Sequence, residues 1–193
     1  RTRLAGLGTM SELHRQPLPY DLARLSNIVV RLAPDLLCAE ITPAAWEQGD
    51  LSTAAFEVRE ALAPVVAATD IVLIPAVPTS ERFADLTPPG GWRRGLVLAL
   101  DRLLQWGQLK AGSPEAINGV LFGAYCHIVC HLIEMVWMAQ DRAIWEAQNK
   151  AMVENVLRVI QRDPGCRVLV AVQCQRLHRL VPLLRTDINS IEI

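Results

Sequence analysis

The sequence predicts an α/β fold in which a mainly parallel central sheet is flanked by helices. Short apolar segments alternate with longer segments of helical periodicity, an order typical of parallel strands joined by helical crossovers. Residues 71–77 (IVLIPAV) are rich in β-branched side chains and form the clearest strand. The length of 193 residues suits one domain, and a hydrophobic content of 51% supports a packed core. We therefore expect a single domain over residues 1–193, with a helical insertion near residues 92–140.

The first half of the chain contains three predicted strands and two predicted helices. The strands are short and apolar, whereas the helices carry apolar residues at intervals of three and four. In order, the elements are a strand at residues 4–8, a helix at 20–33, a strand at 36–41, a helix at 52–68 and the strand at 71–77.

The second half is mainly helical. Two prolines and two adjacent glycines indicate a loop at residues 80–95, which we expect to cover the sheet as a lid. Ser113, Pro114 and Glu115 form a typical helix start. The predicted elements are helices at residues 92–109, 114–140 and 142–162, a strand at 167–172, a turn at 173–178 and a short helix ending at 184. The tail at 186–193 is too short to classify, and an edge strand is one option for it.

Charge and cysteine content exclude several classes of partner. Lys and Arg number 19 against 20 Asp and Glu, with no polybasic run, so nucleic-acid binding is not expected. Five cysteines without a CxxC pair indicate reduced thiols and a cytoplasmic protein.

Residues 119–139 are long enough to cross a bilayer but contain His127, His131 and Glu134. We expect no membrane span there, but a buried helix or one that packs against a second copy in a homodimer.

Several segments resemble a known family when they are taken in order. They are LGTMSELH after the first strand, PDLLCAEI at the second, TDIVLIP at the third, and WEAQNKAM before DPGCRVLVAVQCQRLHRLVPLL. Together they resemble the TraB/Tiki type of the superfamily that includes ChaN-like proteins and erythromycin esterases, over about two-thirds of the chain. The resemblance implies a site above the carboxyl ends of the parallel strands, where open α/β sheets generally bind ligands.

The resemblance also identifies candidate site residues, one by one. The family's first turn, Gly-Thr-x-His, is here Gly8-Thr9-Met10-Ser11, so Ser11 replaces a histidine. Glu40 on the second strand is retained, and Arg176 replaces the histidine of the last turn. The remaining matches are Gln148 and Asn149, at the family's Arg-Asn pair, and Gln173, at the glycine of the last turn.

These replacements remove the ligands that a metal requires. One carboxylate does not hold zinc in water, and Arg176 facing Glu40 would form a self-neutralising pair. We therefore expect no metal and no cofactor. The expected catalytic groups are Glu40 as base or acceptor, Arg176 stabilising negative charge, and Ser11.

A second pattern lies in the predicted long helix, in the sequence CHIVCHLIE. His127, His131 and Glu134 share one helical face and would form either a metal site or a polar stripe that bonds to a neighbouring helix or lines a cavity. Trp137 extends the same helix, which favours an apolar pocket with a few polar groups. The expected substrate-binding residues are Gln148, Asn149, Gln173, His127, His131 and Trp137.

Three functions remain open from the sequence. The first is a small-molecule-binding protein that uses the family's cleft. If this protein is an enzyme, it is a metal-independent cyclase, lyase or isomerase in biosynthesis. Within this reading, His14 and His178 lie just beyond the two turns and are candidate general bases. The second is a metallohydrolase with His127, His131 and Glu134 as ligands. The third is a non-catalytic subunit that dimerises through the helix at 114–140.

Overall fold

The computed structural model describes residues 2–77 and 90–187, and it confirms the predicted fold class. Within these residues, four parallel strands form one sheet in the order β1-β4-β2-β3. The strands are β1 (Arg3–Thr9), β2 (Leu36–Ala39), β3 (Val72–Pro75) and β4 (Arg167–Gln173). Each corresponds to a predicted strand, and the two inner strands, β2 and β4, are recognisable as short apolar runs because they are buried along most of their length.

The strand β4 occupies the interior of the sheet, between β1 and β2. Thr9 lies opposite Gln173, so β1 and β4 end at the same level, and Ala39 of β2 lies opposite Ala171. Alternate residues of each strand enter different cores: Leu169 packs on one face of the sheet and Val170 on the other. The sheet therefore separates two hydrophobic layers.

Helices cover both layers. The first layer contains residues of α1, α3, α4 and α6, and the second contains residues of α7 and α8. The helices are α1 (Leu22–Leu32), α2 (Pro43–Gln48), α3 (Ala63–Ala67), α4 (Trp92–Ala111), α5 (Pro114–Ile117), α6 (Val120–Val136), α7 (Ala139–Arg162) and α8 (Cys174–Asp187). One π-helical turn, Val58–Leu62, leads directly into α3.

Three predicted segments, two helices and one turn, are corrected by the structure. The helix predicted at 114–140 is broken at Asn118 and Gly119 into α5 and α6, and α7 begins at Ala139. The Asn118 side chain causes the break, since its amide donates to the Pro114 carbonyl and its oxygen accepts the Gly8 N–H. The predicted turn at 173–178 is wrong, because α8 begins at Cys174 directly after β4.

The third correction concerns the helix predicted at 52–68. A short 3-10 helix, Leu51–Thr53, comes first, and the continuous helical stretch starts only at Phe56. Helix α2 was missed, although Thr42 caps it through the Ala45 N–H and Pro43 occupies its first turn. Most of the predicted lid, residues 80–89, and most of the tail, residues 188–193, lie outside the described residues.

The α4 and α6 helices approach each other closely. A Cβ atom at Gly107 would lie 2.2 Å from Cε1 of Tyr125, so the crossing requires a residue without a side chain. Within the described part of the chain, no helix is both long and apolar enough to cross a membrane. Helix α6 exposes Val120, Leu121 and Ile128, and the homodimer stays a prediction.

Candidate functional site

The carboxyl ends of β1, β4 and β2 bring together side chains that are distant in sequence. Glu40 directly follows β2, and its Oε2 accepts the backbone N–H of Gln173, the last residue of β4, at 2.7 Å. Its Oε1 lies 3.0 Å from Nε of Arg176, in the first turn of α8. The carboxylate therefore joins two neighbouring strands and the following helix at this edge of the sheet.

Glu40 and Arg176 form a buried pair. Their side chains are only 6% and 2% exposed, and neither lines the cavities described below. The Arg176 guanidinium also contacts the sulfur of Met152 at 2.6 Å and the ring of Trp145, 4.8 Å from its centroid. Burial raises the pKa of Glu40, against the opposing effect of Arg176, and lowers the pKa of Arg176 to about 10. Arg176 therefore remains a cation at neutral pH.

A second buried carboxyl, Glu57, was missed by the sequence analysis. The hydroxyl of Thr9, at the end of β1, donates to its Oε1, while its Oε2 has no hydrogen-bond partner among the described residues. Glu57 is 1% exposed, and burial together with the negative charge of Glu40 raises its pKa to about 7. Two buried carboxyls in unlike environments are a common arrangement in acid–base sites.

His14 stabilises the turn after β1 through both of its ring nitrogens. Nε2 of His14 accepts the Met10 N–H at 2.9 Å, and Nδ1 lies 2.8 Å from the Tyr20 carbonyl oxygen. Both ring nitrogens are thus engaged, so the expectation that His14 serves as a general base is wrong for this geometry. Ser11 in the same turn has a φ of 49°, which is unusual for a residue with a side chain.

A cavity of about 260 Å³ lies over this edge of the sheet. Thr9 and Gln173 line it at the strand ends, and Ser11 lines it from the turn. The rest of the polar lining consists of the Glu12 carboxylate and three more carboxamides, Gln105, Gln108 and Gln175. The described residues that line the cavity include no Lys, Arg or His, so the cavity offers paired donors and acceptors without positive charge.

A smaller cavity of about 180 Å³ shares Gln173 and Gln175 with the first. Trp137, a predicted substrate-binding residue, lines it together with Trp145, and the two indole rings meet edge to face with centroids 5.9 Å apart. The structure therefore brings Gln173, Ser11 and Trp137 to neighbouring cavities at one edge of the sheet.

The other predicted binding residues lie elsewhere. His127 and Asn149 line a larger cavity between α6, α7 and α8, and Gln148 lines none of these three cavities. His131 is exposed, and its ring stacks parallel to that of His127 with centroids 6.4 Å apart.

The predicted metal ligands do not converge. Glu134 is paired with Arg179, and within residues 2–77 and 90–187 no group of three His, Cys, Asp or Glu side chains is arranged to hold a metal ion. The five cysteines are free thiols.

Fold and site define a parallel α/β protein with a buried pair of carboxyls beneath a carboxamide-lined cavity. Comparisons of the chain with protein-family models, with curated proteins and with solved structures gave no match in any of the three. The resemblance to the TraB/Tiki type stays a prediction.

Proposed function

We propose that this protein is an enzyme that binds a small, uncharged, hydrogen-bonding molecule at the carboxyl edge of its sheet and transforms it by proton transfer. The reaction class is that of a cyclase, lyase or isomerase. One observation carries the proposal: Thr9 lines the 260 Å³ cavity and donates its hydroxyl hydrogen to Glu57, whose pKa of about 7 suits a general base at neutral pH.

The lining of the cavity supports the class of ligand. Carboxamides and hydroxyls both donate and accept hydrogen bonds, so they suit the hydroxyl, carbonyl or amide groups of a neutral molecule. An anionic substrate would lack a cation among the described lining residues, and the one carboxylate of the lining, Glu12, is paired with Arg15 outside the lining. The volume of about 260 Å³ suits a molecule below the size of most drugs.

The proposed proton path uses two residues. The Glu57 carboxylate takes the proton of the Thr9 hydroxyl while the Thr9 oxygen takes a proton from a C–H or O–H group of the ligand. The electron pair left on the ligand forms a new π bond, attacks a carbon within the ligand, or expels a leaving group. The proton then returns through Thr9 to another atom of the product, so the residues end unchanged.

Glu40 and Arg176 act as positioning residues in this proposal. Because their charges neutralise each other under the protein surface, they are suited to holding Gln173 and the start of α8 in place. Ser11 and the carboxamides then contact the ligand. This differs from the direct catalytic roles that we expected from the sequence for Glu40 and Arg176.

A fragment screen tests the binding step. Wild-type protein is mixed with small neutral alcohols, ketones and amides, and with matched carboxylates, and thermal shift is recorded. We expect neutral compounds to raise Tm in wild type and in Gln161→Leu, an exposed change on α7, but not in Gln105→Leu, which removes an exposed carboxamide of the cavity. Equal shifts in both variants, or carboxylates as the better ligands, would contradict the assignment of the site.

Deuterium exchange tests the proton transfer. A neutral binder with an acidic C–H is incubated with the protein in D₂O and followed by NMR. We expect exchange in wild type and in Thr9→Ser, and at least about a hundredfold slower exchange in Thr9→Val and in Glu57→Gln. Binding without any catalysed exchange in wild type would leave a binding protein and overturn the enzymatic part.

A further inference from the structure

A larger cavity, of about 620 Å³, lies between α6, α7 and α8, away from the Thr9–Glu57 pair. Its volume is in the range of small-molecule sites. Apolar surface comes from Trp145, Val153, Pro182 and Leu183. The proposed reaction does not use these residues, so the cavity requires a separate explanation.

Two buried polar atoms at this cavity lack a hydrogen-bond partner in the described part of the chain. Oδ1 of Asn149 and Nε2 of His178 are both inaccessible to solvent and have no hydrogen bond within the described residues, and both residues line the cavity. Asn149 is only 4% exposed. A buried polar atom without a partner is unfavourable, so native proteins usually satisfy such atoms with a water molecule or a ligand.

Both atoms are hydrogen-bond acceptors. The His178 ring donates its other N–H to the Ile117 carbonyl, and burial, together with the nearby His127, lowers the pKa of His178. The ring is therefore neutral at pH 7 and presents a lone pair at Nε2. The backbone carbonyl of His178 is a further acceptor. Pro182, four residues later in α8, has no backbone N–H and therefore donates no helical hydrogen bond to it.

The charged groups around the cavity favour a cation. Glu134 is already paired with Arg179. Helix α7 contributes three further charged side chains to the lining: Glu146 and Glu154 are acidic, and Lys150 is basic. The lining therefore combines apolar walls, unpartnered acceptors and an excess of one carboxylate.

We propose that the cavity between α6, α7 and α8 is a second ligand site, which binds an apolar molecule that carries a primary ammonium group. The ammonium donates to Asn149 Oδ1 and His178 Nε2, while the apolar part contacts Trp145, Val153 and Leu183. Glu146 and Glu154 at the rim attract the positive charge.

Three probes of similar shape test the proposal: 2-phenylethylammonium, 2-phenylethanol and 3-phenylpropanoate. Binding is measured by the change in tryptophan fluorescence and by calorimetry. We expect the ammonium to bind at least about tenfold more tightly than the alcohol, and the carboxylate to bind worst. Equal affinity for the three probes, preference for the alcohol or carboxylate, or no binding at all would overturn the proposal.

Variants locate the site. Asn149→Leu is nearly isosteric and is expected to weaken ammonium binding about tenfold, as one hydrogen bond to a charged group predicts. Glu154→Gln, an exposed change that leaves the core intact, is expected to weaken the ammonium severalfold without affecting the alcohol. Glu47→Gln on α2 is the matched control. Ammonium binding that is unchanged in both Asn149→Leu and Glu154→Gln would refute the assignment.

Discussion

Replacement of Glu57 by glutamine should change how stability depends on pH. The carboxyl has a pKa of about 7 in the folded protein against an ordinary value of 4.5, because it is buried and lies near the negative charge of Glu40. The folded state therefore holds this proton more tightly than the unfolded state. Wild-type stability is highest below the unfolded pKa and is lost as pH rises through the folded pKa.

The size of the effect follows from the difference in pKa. A rise from 4.5 to about 7 corresponds to about 3.4 kcal/mol between the fully protonated and fully ionised limits. Between about pH 5 and about pH 8, most of this difference, about 2.5 kcal/mol, is expressed. Glutamine keeps an oxygen that accepts the Thr9 hydroxyl but has no charge, so Glu57→Gln should be more stable than wild type at pH 8 and close to it at pH 5.

Urea denaturation followed by tryptophan fluorescence at several pH values measures the effect. The free energy of unfolding of Glu57→Gln minus that of wild type should rise by about 2 to 3 kcal/mol from about pH 5 to about pH 8. Glu60→Gln, three residues on and paired with the exposed Arg59, is the control and should show no such rise. A difference that stays constant with pH would refute the claim that Glu57 titrates near neutrality.

Three further changes test other parts of the structure. Arg176→Met leaves Glu40 buried without its cation and should destabilise the fold by about 3–5 kcal/mol in denaturation curves. The double variant with Glu40→Gln should recover much of this loss, and a double variant without recovery would contradict a buried ion pair. Gly107→Ala should lower stability by about 1–3 kcal/mol because of Tyr125, whereas Gly95→Ala in the same helix, with open space around it, should raise it by about 0.5–1 kcal/mol. His14→Leu should destabilise by about 1–3 kcal/mol through the bonds lost to Met10 and Tyr20. Because burial lowers the pKa of His14, the wild type should also lose stability as pH falls below 6.5, and the variant should lose less. An equal dependence of the unfolding free energy on pH in both proteins would contradict the lowered pKa of His14.

The inner strands could be predicted from the sequence because a strand buried on both faces is a continuous run of apolar residues. Residues 168–172 are all buried, so β4 is a continuous apolar run that needs no long-range information. The break between α5 and α6 has no such mark. It depends on the Asn118 side chain reaching the N–H of Gly8, 110 positions away, which periodicity does not report.

Most of the candidate site that could be predicted rests on positions that the family resemblance supplied, and Trp137 rests on the pattern of the predicted long helix. Ser11, Glu40, Gln173 and Arg176 do meet at one edge of the sheet, as expected from strands that end together. Glu57 has no comparable signal. It lies among apolar neighbours on a predicted helix, and its partner Thr9 is 48 positions earlier, so its burial and raised pKa follow from tertiary packing.

The placement of β4 determines when this protein is able to fold during translation. This strand leaves the ribosome after the other three, yet it separates β1 from β2 and contributes to both hydrophobic layers. A nascent chain that has emerged only to α7 therefore has two unpaired inner edges, which are prone to join other chains. Such an intermediate persists for seconds at ordinary synthesis rates, so we expect production in cells to depend on holding chaperones more than the stability of the finished protein suggests.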